Sequence, residues 1–322
     1  MKTVNRGYVG IPSFLRSRIA ADPSEYGDAR IGVLGVPFDE GSPFLPGSRF
    51  GPRGIREHSL RIPVGDPLFD PDTGESFLEH ELKDGLIIDV GDVDVRPAKP
   101  ERTFEIITAR VREMLDGGLF PVILGGDHAI TYPVFKAFEK PMHVIQFDAH
   151  QDYSEIDADL DRTNSHAFRH IGAMETCLSI TQIGIRGLRT TRRHVEEMRA
   201  AGHRVVAMTE TRALGPKGIA GLLPEGSEVY VTIDVDALDL SIVPGCVSGE
   251  PDGMGFRDLM ESLREIAKRH RIRGFDFVEV NPPLDIGTGA TSYLGALVVT
   301  EFLGHICNQP WWSETLAKGA RS

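Results

Sequence analysis

The sequence predicts an α/β fold built on a parallel sheet with helices on both faces. Three observations carry that expectation. Short continuous apolar runs, RIGVLGV at 30–36, LIIDV at 86–90 and PVILGG at 121–126, read as strands that bury both sides. Helical periodicity separates such runs: ERTFEIITARVREMLD at 101–116 is stopped by Gly117 and Gly118, and FRDLMESLREIAKRH at 256–270 is amphipathic. Several runs also end in acidic or histidine-rich loops, as expected where the carboxyl ends of parallel strands gather around a ligand.

In chain order, an irregular arm covers about residues 1–29, and a Gly/Pro-rich loop, EGSPFLPGSRFGPRG, follows the first strand. AITYPVFKAFEK reads as a short helix begun or broken near Pro133, and HVIQFDAH at 143–150 as a strand. RVVAMTE near 204, EVYVTIDVDAL near 228 and RIRGFDFVEV at 271–280 continue the series, and SYLGALVVTEFLGHI at 292–306 closes it as a helix. The loop-rich interior segment 151–180 is a candidate substrate loop. No compositional break or fixed-period repeat divides the chain, so residues 1–322 are expected to form one domain.

Hydrophobic residues make up 41% and charged residues 25%, which excludes disordered, collagen-like and low-complexity classes. Lys and Arg total 35 against 47 Asp and Glu, a net charge of −12 that repels phosphate backbones, so no nucleic-acid partner is expected. The three cysteines, Cys177, Cys246 and Cys307, form no CxxC pair and point to a reducing compartment. The first residues lack a signal-peptide core, and no stretch approaches the roughly 20 apolar residues of a membrane span. A cytoplasmic protein without membrane association is the expectation.

The strongest chemical signal is HVIQFDAHQDYSEI, where Asp148, His150 and Asp152 stand two residues apart. In an extended segment that period places all three on one side. Buried, unpaired carboxylates give up their charge or cost several kcal/mol, whereas a divalent cation satisfies them directly. Asp234 and Asp236 follow another strand, with Asp239 close behind, and His128 follows VILGGDH, whose paired glycines allow a tight turn. Taken singly, each is an ordinary loop acid or core histidine. Together, four carboxylates and two imidazoles exceed the needs of one ion and balance the charge of two divalent cations. Mixed O/N donors suit Mn, Zn, Fe or Ni, and the set predicts a paired-metal hydrolytic centre. GGDH lacks the GxxxxGK[ST] spacing of a phosphate loop, and DVDALD lacks the glycine and closing glutamate of an EF-hand.

GGDH at 125–128, DAHQD at 148–152 and DVDALD at 234–239 resemble the ureohydrolase family of arginases and agmatinases, closest in appearance to agmatinase-like guanidino hydrolases. GVPFDEGSPFLPGSRFGPRGIR upstream and FVEVNPP downstream fit the same pattern in the same order. The resemblance implies an arginase-like three-layer α/β/α subunit with a central, mainly parallel sheet. It also implies two divalent metal ions, Mn, with Ni admitted by the same O/N donors, hydrolysis of a small guanidino compound to urea and an amine, and assembly as a homotrimer or homohexamer. Carried onto this chain, it makes His128 and Asp152 ligands of one metal, His150 and Asp236 ligands of the other, and Asp148 and Asp234 bridges. Asp152 additionally assists proton transfer to the leaving nitrogen. Glu279 receives the guanidinium, and His166 in TNSHAFRH serves as the cleft histidine, with His170 the competing assignment.

The chain departs from the family pattern at Gln151, where Thr is common, and in PGCVSGEPDG from 244, which brings Cys246 and Val247 near the cleft. Cys246 reads as pocket wall. Agmatine is the nominal substrate, because the upstream and closing motifs look more agmatinase-like than arginase-like, and acids in 151–161 suit its second cationic amine. The alternatives are guanidinobutyrate, guanidinopropionate, guanidine and guanylurea: Arg169 or Arg186 at the outer pocket favours an acidic tail, and closure by Phe168 favours a short molecule. A different class, a noncatalytic metal-binding oligomeric scaffold, also fits the altered loops.

Overall fold

The apolar runs become the strands of a sheet, described here from a computed structural model covering residues 7–318 apart from 65, 158 and 159. The strands are β1 (Arg18–Ile19), β2 (Ile31–Val36), β3 (Leu68–Asp70), β4 (Glu75–Phe77), β5 (Ile87–Asp92) and β6 (Phe120–Gly125). They continue with β7 (Met142–Phe147), β8 (Cys177–Ile185), β9 (Arg204–Ala207), β10 (Glu228–Asp234) and β11 (Arg271–Val278). Nine of them form one sheet in the order β1-β5-β2-β6-β11-β10-β7-β8-β9, and β3 and β4 form a separate antiparallel pair. Every pairing in the large sheet is parallel.

Side chains alternate between two cores, one on each face of the sheet. Along β6, Val122 and Leu124 join the core of the helices Gly51–Ser59, Phe256–Arg269 and Ala290–Cys307, while Ile123 joins that of Pro100–Asp116, Thr131–Phe135 and Ala167–Gly172. The result is a three-layer α/β/α architecture. Parallel strands have no solvated face, which is why their sequences run apolar without interruption.

Two differences from the sequence expectation have physical causes. β8, placed inside the sheet between β7 and β9, begins within the segment expected to be loop. Its run CLSITQIGI is broken by Ser179, Thr181 and Gln182, so it lacks the continuous apolar signal. Helix Ala290–Cys307 does reach the length and hydropathy of a membrane span, but its 18-residue window is 72% buried within the fold. Its hydrophobicity serves the core instead. Part of the N-terminal arm is also ordered, with β1 pairing along β5 at the sheet edge.

Candidate metal centre

Four neighbouring strands, β6, β11, β10 and β7, bring the candidate residues together at their carboxyl ends. Local sequence turns each end inward. A Cβ at Gly126 would lie 1.8 Å from the Phe38 carbonyl oxygen, so only glycine lets the chain pass that loop and present Asp127 and His128. After β7 the row is not extended: Asp148 Oδ1 accepts the His150 N–H at 2.5 Å, and Asp152 has φ of 47°. This corrects the straight period-two reading, because the convergence of Asp148, His150 and Asp152 comes from a turn and a left-handed backbone. Asp234 Oδ1 accepts the Asp236 N–H at 2.8 Å, repeating the turn. Glu279 also has positive φ, 65°. Non-glycine residues held in this region store strain, which concentrates at functional sites.

His128 Nδ1 lies 3.0 Å from Asp148 Oδ2, 3.1 Å from Asp234 Oδ2 and 3.3 Å from Asp152 Oδ2. Its Nε2 lies 2.9 Å from Thr232 Oγ1. Thr232 donates its own proton to Asp276 Oδ1 at 2.5 Å, so it accepts from Nε2–H and leaves Nδ1 unprotonated in the neutral ring. Tyr230 and Thr131 donate to the other Asp276 oxygen and complete that support. Nδ1 is buried and lacks hydrogen-bond geometry to any partner, although three carboxylates surround it. A lone pair facing three anions is satisfied by a cation.

His150 Nδ1 lies 3.0 Å from Asp236 Oδ2 and 3.6 Å from Asp148 Oδ1, and its Nε2 lies 3.6 Å from Glu250 Oε1. Asp148 thus reaches both imidazoles. Donor atoms of His128, Asp148 and Asp152, and those of Asp148, His150 and Asp236, form two groups with all atoms within 4.8 Å. Two N/O donor groups sharing an acid suit a pair of divalent cations. A third group joins Asp234 and Asp236 to Cys246. Burial pushes the Cys246 thiol well above its ordinary pKa and disfavours the thiolate that soft ligation requires.

Burial and crowding of like charges shift the proton affinities of the cluster's side chains. Burial, then the Asp236 and Asp148 charges, raise Asp234 well above the carboxylate range, and burial with Asp148 pushes Asp152 up to about 6. Burial opposes charge on the histidines. It is outweighed at His128 by Asp148, Asp152 and Asp234, and at His150 by Asp236 and Asp148, which raise it to about 12. Burial also works against charge on Asp148, yet the two histidines pull it below the ordinary range.

Both imidazole pKa values are raised above the unfolded 6.5, so their stabilisation is complete below that pH and is lost as pH rises toward the folded value. Between about pH 7 and pH 9, metal-stripped protein is expected to lose on the order of 1 to 3 kcal/mol per pH unit through these two groups. Added Mn displaces the protons and is expected to reverse the trend. Thermal unfolding of stripped and Mn-loaded protein across that range tests this; a flat profile for the stripped form contradicts it.

The cluster opens on a cavity of about 250 Å³ walled in part by His150, Asp152, Asp234, Asp236 and Glu279. This lies just below the roughly 300 Å³ lower bound of common ligand pockets, and suits a small molecule. Glu279 Oε1 accepts from the His128 N–H at 2.9 Å and from Asn164 Nδ2 at 3.3 Å, and burial pushes its pKa up to about 7. A larger cavity, about 910 Å³ between Phe120, Met142 and Trp312, lies at the opposite ends of the strands and touches none of these residues.

The remaining sequence candidates sit elsewhere. His166 does not line the cavity: its Nε2–H donates to the Glu155 carbonyl at 3.0 Å, and its Nδ1 accepts from Thr163 Oγ1 at 2.7 Å. His170 donates to the Asp161 carbonyl at 2.6 Å and stacks on Tyr132. Phe168, whose closure of the pocket would have favoured a short molecule, is buried behind His128 with ring centroids 5.1 Å apart.

A family model described as the arginase family matches residues 29–304, most of the chain. The chain belongs to the arginase family. It is 32% identical over 307 residues to the human mitochondrial guanidino acid hydrolase, covering 92% of this chain and 82% of that protein. It is 30% identical over 295 residues to the agmatinase of Bacillus subtilis, covering 89% and 96%. The structure of proclavaminate amidino hydrolase from Streptomyces clavuligerus superposes with a TM-score of 0.82 at 28% identity, covering 93% of this chain and 98% of that one.

This arginase-family chain surrounds the cluster with polar residues that the sequence reading passed over. Gln146 Nε2 donates to Asp148 Oδ2 at 2.7 Å, Gln182 Nε2 donates to Gln146 Oε1 at 2.6 Å, and the divergent Gln151 reaches Gln182 at 3.5 Å. Asp276 and Thr232 play the corresponding part for His128. The available signal was a polar residue inside an otherwise apolar buried strand, since such a group persists only where it has partners.

Proposed function

We propose that the chain hydrolyses the guanidino group of a small compound, releasing urea and an amine. The observation that carries this is a single small cavity walled by both the His/Asp cluster and the separately anchored carboxylate of Glu279. A pair of divalent cations, Mn or Ni, held by His128, Asp148, His150, Asp152, Asp234 and Asp236 would supply Lewis acidity and water acidified toward neutral pH.

Glu279 accepts N–H bonds from the planar guanidinium, whose fork of donors matches a carboxylate, and so sets the carbon in place. Its anchoring by the His128 backbone keeps that orientation fixed relative to the cluster. Water oxygen bonds to the guanidinium carbon, the bond from that carbon to the substituted nitrogen breaks, and water's two protons end on that nitrogen, leaving urea and an alkylammonium. Asp152 lines the cavity within reach of the cluster, and its carboxylate is the group assigned to carry these protons. His166 has both ring nitrogens engaged within its own loop, and in this reading it positions that loop.

Of the acids in 151–161, Asp152 belongs to the cluster, and the other described ones do not line the cavity. Glu155 pairs with Arg193, Asp161 with Arg162, and Asp157 bridges to Leu160, while Asp159 lies outside the described residues. The substrate panel therefore extends to guanidinobutyrate, guanidinopropionate, guanidine and guanylurea beside agmatine. Urea release is expected from at least one of them on Mn- or Ni-loaded protein, with kcat/KM of at least about 10⁴ M⁻¹ s⁻¹. Silence across the panel with both metals would support the noncatalytic metal-binding scaffold instead.

A further inference from the structure

The cavity is electrically lopsided. Its carboxylates, Asp152, Asp234, Asp236 and Glu279, all belong to the cluster or to the guanidinium seat. The rest of the wall carries hydroxyls and, among the described residues, one Arg or Lys side chain, that of Arg189.

Other nearby arginines are spent on structure. Arg186 gives its donors to backbone carbonyls, including those of Pro251, Asp236, Leu238 and Glu250. Arg169 binds the carbonyls of Ser154 and Tyr153 and the carboxylate of Glu197, and packs on the Tyr153 ring. Arg189 differs. Its Nη1 donates to Ser248 Oγ at 3.1 Å, its Nε is 3.7 Å from Glu250 Oε1, beyond hydrogen-bond distance, and 61% of its side chain is exposed. A guanidinium has five N–H donors, so most remain available toward the cavity. Beside it, the buried Thr190 hydroxyl lining the same cavity has no hydrogen-bond partner.

We infer that Arg189, with Thr190, receives an anionic group at the far end of the substrate, so that the preferred substrates are short guanidino acids. This rests on the guanidino-hydrolase reading above. An Arg fork binds a carboxylate through paired charge-assisted bonds, whereas the ammonium of an aminoalkyl guanidine meets a like charge there and, among the described residues lining the cavity, finds no acid outside the cluster and the Glu279 seat; Glu250, the nearest other acid, stands behind Arg189 Nε at 3.7 Å.

The test compares urea release by Mn-loaded protein from guanidinobutyrate, butylguanidine and agmatine, whose tails are anionic, neutral and cationic. Wild type is expected to favour guanidinobutyrate over butylguanidine in kcat/KM. In Arg189→Gln that ratio is expected to fall about 10- to 100-fold, chiefly through KM for the acid, with Arg189→Lys between the two. Arg189→Glu is expected to move the preference toward agmatine. A wild type that favours agmatine, or an acid-to-neutral ratio unmoved in Arg189→Gln, overturns the inference while leaving hydrolysis standing. No urea from any of the three overturns the inference, and silence across the wider panel with both Mn and Ni overturns hydrolysis as well.

Discussion

Asp148→Asn protein is expected to lose at least one of its two divalent cations and to release urea at least about 10³-fold more slowly, a loss of roughly 4 kcal/mol of transition-state stabilisation. Asp148 is fully buried and is the carboxylate that reaches both imidazoles, through Oδ2 to His128 and Oδ1 to His150. It also accepts from Gln146 Nε2 and from the His150 backbone. The amide is nearly isosteric, but removes one negative charge from the shared position and sets an NH₂ group among donors. Elemental analysis beside a urea assay checks both halves of the expectation. Wild-type activity in this variant, with full metal content, would remove the basis of the proposed mechanism.

Glu279→Gln is expected to separate binding of metal from binding of substrate. The variant should keep both cations, because Glu279 lies outside the three-residue donor groups and acts through the guanidinium seat. Its kcat/KM should nevertheless fall by about 10²-fold or more, since an uncharged amide cannot match the guanidinium fork with two acceptors. Glutamine retains an oxygen for the His128 N–H and meets the same left-handed backbone at φ 65°, so the fold should survive. Loss of metal along with activity would show that Glu279 acts by supporting the cluster. Unchanged kinetics would show that the guanidinium sits elsewhere.

Much of the cluster was legible because its residues fall at the ends of strongly apolar strands. A buried strand has no reason to finish in Asp148, His150 and Asp152, or in Asp234 and Asp236, unless something satisfies the charge. What was not legible is directional. The spacing of Asp148, His150 and Asp152 suggested an extended row, yet their approach depends on the turn after Phe147 and the positive φ of Asp152. His166 and His170 are near neighbours in sequence with identical chemistry, and only their partners, Glu155 and Thr163 for one and Asp161 and Tyr132 for the other, reveal that both face their own loop. Arg169, Arg186 and Arg189 are equally cationic on paper. Their difference is how many donors the fold leaves unspent.

The amino-acid order by itself determined the alternation of apolar strands and helices, the donor types available for two cations and the family to which the chain belongs, because these depend on residue identity and short-range periodicity. Only the tertiary structure decided which donors meet, which histidines turn away and which arginine faces the cavity. Those outcomes depend on strand order, β6-β11-β10-β7, and on the backbone angles at a few turns, where residues distant in sequence compete for the same partners.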